Sequence, residues 1–393
     1  MAHVVFMAER LAQEFRPCAV ESDRTGKLSL HNYRRMREAG YLHAPAPAEL
    51  GGSAASLLDM CRAQQALARG CGATALAVNM HLFQVGALTD AWCNGQPVEP
   101  LLRRIVEEGL VLASNGAESI VLGEWTPATI ARRTPTGYVV SGRKFFCSQA
   151  TVFDIVRFLA HDCDTGETLL LSAARDAPGL RIEETWDTTG MRASASHDLV
   201  LDEVEIEERD VSARFPAGEP LRTPALMNVY RWFLPMVASV YLGIAEEASH
   251  QAHEALGLGI NSVHRHEALT DVMLGEMAVA LLTARSVRDQ LVAEINEFPR
   301  DAHAALFKAI AIKEIVFSRS MAAVEKAVAI AGGRSYFRKS PLERLVRDAQ
   351  AGRFHPPAAP VSYQILGQFS REAAGRSDET RVRAHARVPG NAS

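Results

Sequence analysis

Apolar positions recur at intervals of three and four through the first hundred residues, as in Leu57, Leu58, Cys61, Ala66 and Leu67 and again in Leu76, Val78 and Leu82. That spacing places them on one face of a helix. Ser56 is positioned to cap the first of these helices, Asp59 sits where the helix dipole favours an acid, and Pro45, Pro47, Gly51 and Gly52 mark the preceding loop. From about 109 to 215 the period falls towards two. β-Branched and aromatic residues gather in Gly137–Ser148, Ile155–Ala160, Thr168–Ser172, Leu180–Glu183 and His197–Val204, parted by turn signals at 135–137, 164–166 and 178–179. The helical period then returns, with long segments expected over Leu234–Ala255, Leu269–Ile295, Ala302–Ile330 and Val361–Ala374. Pro235 is expected near the start of the first, and Gly332-Gly333 at the end of the third as a C-cap.

The pattern predicts a multidomain α+β chain. An N-terminal all-α domain covers 1–108, a central antiparallel β-sandwich or barrel 109–215 and a C-terminal four-helix bundle 216–375, followed by a flexible tail at 376–393. Composition trims the function classes. The 42 basic side chains against 46 acidic ones leave a net charge of -4, which offers nucleic acid no attractive field. No apolar run is long enough to span a bilayer, and the N-terminus lacks a signal-peptide pattern, so a cytoplasmic protein is expected. Six cysteines at 18, 61, 71, 93, 147 and 163 form no CxxC pair, so neither a metal nor a disulfide framework is expected.

Several segments, in order, resemble the acyl-CoA dehydrogenase superfamily. Glu49-Leu-Gly-Gly52 and the segment from Ala73 to His81 resemble its N-terminal half. Gly137-Tyr-Val-Val-Ser-Gly-Arg-Lys144, continuing to Phe146-Cys147-Ser148, resembles the flavin-facing strand "GYxLNGxKxWIT". Ala177-Pro-Gly-Leu180, Gly190-Met-Arg192 and Leu201-Asp-Glu-Val204 follow, then Ala331-Gly-Gly333, Pro341-Leu-Glu-Arg344 and Arg347-Asp-Ala349. The resemblance implies FAD, with FMN as the alternative, held between the β-domain and the C-terminal helices. It places Phe146, Cys147 and Ser148 beside the flavin ring, Ser114, Asn115 and Gly116 at its carbonyl edge, and Gly332 and Gly333 among the cofactor contacts. Arg265 is the available substitute for a phosphate-anchoring arginine. His81, Phe233 and Phe354 are expected to touch substrate.

The resemblance also exposes an omission. Most relatives carry a catalytic glutamate nine residues after the arginine of the last motif, and that count from Arg347 reaches Pro356. A minority carry it on the first bundle helix, about ten residues before a glycine; with Gly243 as that glycine, the position falls on Phe233, next to Tyr230, Arg231 and Trp232. Neither proline nor phenylalanine can take a proton. Three functions follow. One is a flavin-dependent oxygenase acting on an acyl thioester or related small molecule, with Phe145, Phe146, Trp232, Phe233 and Phe354 as apolar cover. Another is an acyl-CoA or acyl-carrier-protein dehydrogenase with His355 as base. The last is a non-catalytic family member. Implied partners are the substrate, CoA- or carrier-bound, a flavin reductase or electron-transfer flavoprotein, and further copies in a homodimer or homotetramer. Nucleic acid and membranes are not expected partners. Ser196-His197-Asp198 is not a triad, because neighbouring strand residues face opposite sides.

Overall fold

The computed structural model describes residues 3–116, 126–216, 223–257, 267–296 and 301–385. The chain forms two compact units, Met1–Gly352 and Arg353–Ser393. In the first, α1 (His3–Thr25), α2 (Leu30–Glu38), α3 (Leu57–Gly70), α4 (Gly72–Cys93) and α5 (Glu99–Glu107) make the N-terminal helical layer. Ser56 caps α3 as expected: its Oγ accepts from the Asp59 N–H at 3.2 Å and donates to the Asp59 carboxylate at 2.7 Å. α4 is buried on every side from Gly72 to Leu88, which is what an apolar run without a polar stripe demands.

One mixed sheet follows, made of β1 (Leu112–Asn115), β2 (Ile130–Thr134), β3 (Gly137–Cys147), β4 (Ile155–Asp162), β5 (Thr168–Ala174), β6 (Leu180–Glu183), β7 (His197–Glu207) and β8 (Val211–Phe215). Its order is β6-β7-β3-β2-β4-β5-β8, with β1 paired to β4. Most pairings are antiparallel, as alternation over short strands implies, but β1 and β2 each lie parallel to β4. The core face carries Ala113, Val140, Val156, Phe158, Ala160, Leu169, Leu171 and Leu199. The opposite face of Leu112 and Ile155 packs on Val85 and Leu88 of α4 and Leu102 and Ile105 of α5.

The C-terminal helices of this unit are α6 (Pro224–Gly257), α7 (Glu267–Ile295), α8 (Ala302–Ala331) and α9 (Pro341–Gln350). α6 starts ahead of the expected Leu234, because Leu226, Met227, Trp232 and Phe233 extend its buried face. Pro235 therefore lies inside the helix and not at its start. Its carbonyl accepts from Ser239 Oγ at 2.8 Å, a local bond within the interrupted ladder. Gly243 is also mid-helix. Its bare Cα lets the α3 backbone approach, and an added Cβ would stand 2.1 Å from the Gln65 carbonyl oxygen. Gly332 ends α8 with φ +65°, donating its N–H to the Val328 carbonyl.

In the second unit α10 (Ala359–His385) runs past Ser377 into the segment expected to be a mobile tail. Five of residues 376–385 are Arg, Glu or Ala, which favour a helix, and no proline falls between them and Pro389. Residues 386–393 lie outside the described part.

Candidate functional site

The centre of the candidate site is a kink in β3. The pairing with β7 slips between Lys144 and Cys147, and the residue that absorbs the slip is Phe146, at φ +60°. A left-handed aromatic residue is costly, and such strain persists only where the surroundings enforce it. The kink turns the ring outward, leaving Phe146 59% exposed, edge-on to Trp186 at 5.9 Å and tilted against Phe145 at 6.5 Å. Gln149, also left-handed at φ +58°, locks the far side of the kink. Its amide oxygen accepts from Tyr33 Oη at 2.7 Å, its amide nitrogen donates to the Leu112 carbonyl at 2.7 Å, and its N–H donates to the Ser194 carbonyl at 2.9 Å. Between the two, the Ser148 hydroxyl shares a hydrogen bond with Ser196 (2.9 Å), which shares another with Ser194 (2.7 Å), all three buried.

Asn115, at the end of β1, retains only 2% of its surface. Neither its Oδ1 nor its Nδ2 has a nitrogen or oxygen partner. Its polar neighbour is the Cys147 thiol, which burial pushes up to about 12 despite that neighbour, so the group is neither nucleophile nor base near neutrality. A buried amide with both ends unmatched costs free energy unless a ligand completes it. Next to it, no described residue stands within 4 Å of where a Cβ on Gly116 would lie. A flavin fits these residues. Its pyrimidine edge presents an amide-like alternation of donor and acceptor that Asn115 can match, and its flat ring suits the exposed Phe146 face. Ser148 stands beside them with its hydroxyl already engaged to Ser196.

Phe233, to which the resemblance assigns the glutamate position of a minority of relatives, sits in aromatic packing. Phe233 is buried, edge-on to Phe83 of α4 at 5.2 Å and to Tyr230 at 6.3 Å. Burial pushes the Tyr230 phenol up to about 12. Arg231 and the Trp232 indole both donate to Asp90, so the acid at this junction is already neutralised. The expected aromatic cover thus divides: Phe145 and Phe146 stand on β3, Trp232 and Phe233 lie on α6, and Phe354 belongs to the unit Arg353–Ser393.

His81 is not a ligand residue, contrary to expectation. It is fully buried, accepts from the Leu112 N–H at Nδ1 (3.0 Å) and meets the Leu42 carbonyl at Nε2 (2.8 Å). Both ring nitrogens are used by backbone, and burial pushes the imidazole down to about 4. Gly332 ends α8, and Gly333 follows it in the 3₁₀ turn Gly332–Tyr336. Phe354, exposed, and His355 belong to the unit Arg353–Ser393. Arg265 lies outside the described residues. His197 and Asp198 diverge as expected: His197 Nδ1 accepts from the Trp186 N–H, and Asp198 pairs with Arg143. Sequence reasoning missed Gln149, Trp186 and Ser194. Trp186, an aromatic in a short polar loop after β6, was the one with a visible signal.

Among the described residues no helix is long and apolar enough to cross a membrane, and no cluster of His, Cys, Asp or Glu is arranged to hold a metal. Comparison with known proteins gives a consistent result. Residues 6–107 match the acyl-CoA dehydrogenase N-terminal domain and residues 235–359 the C-terminal domain. The protein named "Putative acyl-CoA dehydrogenase YdbM" of Bacillus subtilis is 32% identical over 88% of this chain and 91% of its own length. The amino sugar nitrososynthase DnmZ of Streptomyces peucetius is 29% identical over 86% and 85%. The solved structure of KijD3 with FMN and a dTDP-linked amino sugar superposes with a TM-score of 0.85 at 26% identity, covering 95% of each chain.

Proposed function

The chain belongs to the acyl-CoA dehydrogenase family and is a flavin-dependent oxidoreductase of the oxygenase type, and we propose that the atom it oxygenates is the amine nitrogen of a nucleoside-diphosphate-linked amino sugar. The observation that carries this reading is Phe233, packed between Phe83 and Tyr230 where an acid would be needed for dehydrogenation. Removing an α-proton from a thioester requires a strong, positioned base. An unprotonated amine carries its own lone pair and requires none. Apolar aromatic walls favour that neutral form, because desolvation penalises the ammonium. The relatives named for amino sugars point to the same substrate class, and their identity to this chain is close to that of YdbM.

Asn115, Phe146 and Ser148 would hold the flavin, FMN or FAD. When bound, it supplies the two-electron chemistry through which one atom of molecular oxygen reaches the nitrogen and the other leaves as water. The electrons come from a nicotinamide through a flavin reductase partner. The kinked strand and its aromatic rings exclude water from the flavin face. His355 would be called on only in the alternative reaction, a dehydrogenation, where a base must take the α-proton. A homodimer or homotetramer is the proposed assembly.

The test reconstitutes the protein with FMN or FAD, a flavin reductase and NADH, and offers a dTDP-linked amino sugar, a short alkylamine or an acyl-CoA. Oxygen uptake tied to the amino sugar, with a product heavier by one oxygen atom, is expected. Flavin reduction by acyl-CoA under nitrogen, without reductase, would overturn the reading. His355→Ala should leave amine-linked oxygen uptake unchanged within about twofold, whereas a loss of about 10²-fold would show that a protein base is needed and overturn the base-free reading.

A further inference from the structure

Arg157 lies in the middle of β4, beside the strand that carries Asn115. Val156, Phe158 and Ala160 point into the sheet core, so Arg157 points to the other face. Its register partners are Ser114 on β1 and Ser172 on β5. Their core-facing neighbours are Ala113, Leu171 and Ala173, so both serine side chains share the Arg157 face, roughly 5 Å from it at the Cβ level. The helical layer covers this face at Leu112 and Ile155, two residues away along each strand. Arg157 sits at the rim of that cover and retains only 9% of its surface.

A guanidinium buried to that degree is ordinarily paired with a carboxylate. This one makes no hydrogen bond, ion pair or ring contact with the described residues, and its Nε is fully enclosed without a partner. The acid just before this strand and the acid at its end are both engaged elsewhere. Asp154 accepts from the Val111 N–H at 2.7 Å, and Asp162 accepts from Tyr138 Oη at 3.1 Å and the Asp164 N–H at 2.9 Å. Burial pushes the guanidinium down to about 10, which still leaves it charged at neutral pH. The flanking hydroxyls are not spent on it: Ser172 touches only Ser212, at 3.3 Å, and the Ser114 hydroxyl has no protein partner among the described residues. A fixed, always-charged fork between two hydroxyl donors matches the oxygens of a phosphate ester better than any other common biological group.

We propose that Arg157, with the Ser114 and Ser172 hydroxyls beside it, is a binding site for a phosphate group of a ligand that reaches the helix-side face of the sheet, the face opposite the Asn115 side chain. Two carriers have this chemistry: the phosphate of the flavin, and the diphosphate of a nucleotide-linked substrate. Only the identity of the carrier rests on the function proposed above. The site is therefore tested by binding without turnover, so that it can stand or fall apart from the reaction.

Purified wild type and Arg157→Met, without cofactor, are melted with and without inorganic phosphate. Phosphate should raise the Tm of wild type and leave that of R157M unmoved. Without ligand, R157M should melt at or above wild type, because an apolar residue replaces an unpaired charge. Titrations with FMN, riboflavin and thymidine diphosphate then separate the carriers. If the flavin phosphate is held, R157M weakens FMN at least tenfold and leaves riboflavin unchanged. If the substrate diphosphate is held, it weakens thymidine diphosphate at least tenfold and leaves both flavins unchanged. Arg157→Lys should fall between, since it keeps the charge and loses the fork. An R157M protein that misfolds or melts lower would show the guanidinium to be structural and overturn the proposal. So would one that binds phosphate, FMN and thymidine diphosphate as wild type does.

Discussion

Arg347 and Arg157 are both held among packed elements, yet their surroundings are opposite. Arg347, in α9, is saturated by the chain. It donates to both oxygens of Asp23 in α1, to both of Glu343, and to the Thr189 carbonyl in the loop before β7. Those acids hold its charge firmly, raising its pKa above the ordinary arginine value. Asp348 beside it accepts the Met191 N–H at 2.6 Å, and the Gly190 Cα is pressed so close to the Arg347 carbonyl that a Cβ there would stand 2.0 Å away. The Gly190-Met-Arg192 and Arg347-Asp-Ala349 segments are thus two halves of one internal clasp between helices and sheet. The sheet face at Arg157 and the amide at Asn115 have no such closure. Where the chain satisfies its own polar groups, the residues serve the fold. Where it leaves buried ones unmatched, a ligand is the natural completion.

The contrast can be broken at the clasp first. Burial pushes Asp348 up to about 6 from an ordinary carboxylate value of 3.8, outweighing the help of Arg344 and the Met191 N–H. The folded state therefore holds the proton more tightly than the unfolded one between those values. The contribution to stability is complete below about pH 4, is lost as pH rises through 6, and amounts to about 3 kcal/mol. Asp348→Asn keeps an acceptor for Met191 and should flatten the melting profile between pH 4 and 7. Parallel profiles for the two proteins would refute the assignment. Arg347→Ala should cost about 2 kcal/mol, the figure expected for charge-assisted bonds that are partly screened by water, read as a lower urea midpoint at unchanged slope. A wild-type midpoint would mean that the clasp does not bear on stability. The smallest effect is expected at the unsatisfied end. Phe146→Gly removes about 1 kcal/mol of backbone strain together with the ring. The flavin-free protein should melt no lower, while flavin affinity falls about tenfold. A lower Tm with intact flavin affinity would place Phe146 with the fold instead of the site.

Much of the local structure was legible in the residues. The Ser56 cap, the Gly332 stop and strands β3 to β7 were each placed from neighbours a few positions apart. Asn115 and Phe146 were picked out through family resemblance, and both carry unusual physical features. Other elements were not legible. Pro235 reads as a helix start because proline is tolerated there, but the buried face of α6 continues through it. His81 reads as a candidate ligand until Leu42 and Leu112, 39 and 31 residues away, are seen to use both nitrogens.

The amino-acid order by itself determined the three-part alternation of helices, strands and helices, and the lack of an acid at either usual base position, since period and residue identity are local properties. Only the tertiary structure decided that β1 lies parallel to β4, that Phe146 is forced left-handed, and that Arg157 is buried without a partner among the described residues. Each of these depends on which distant strands meet and in what register, and whether a buried polar group is satisfied is a property of everything packed around it.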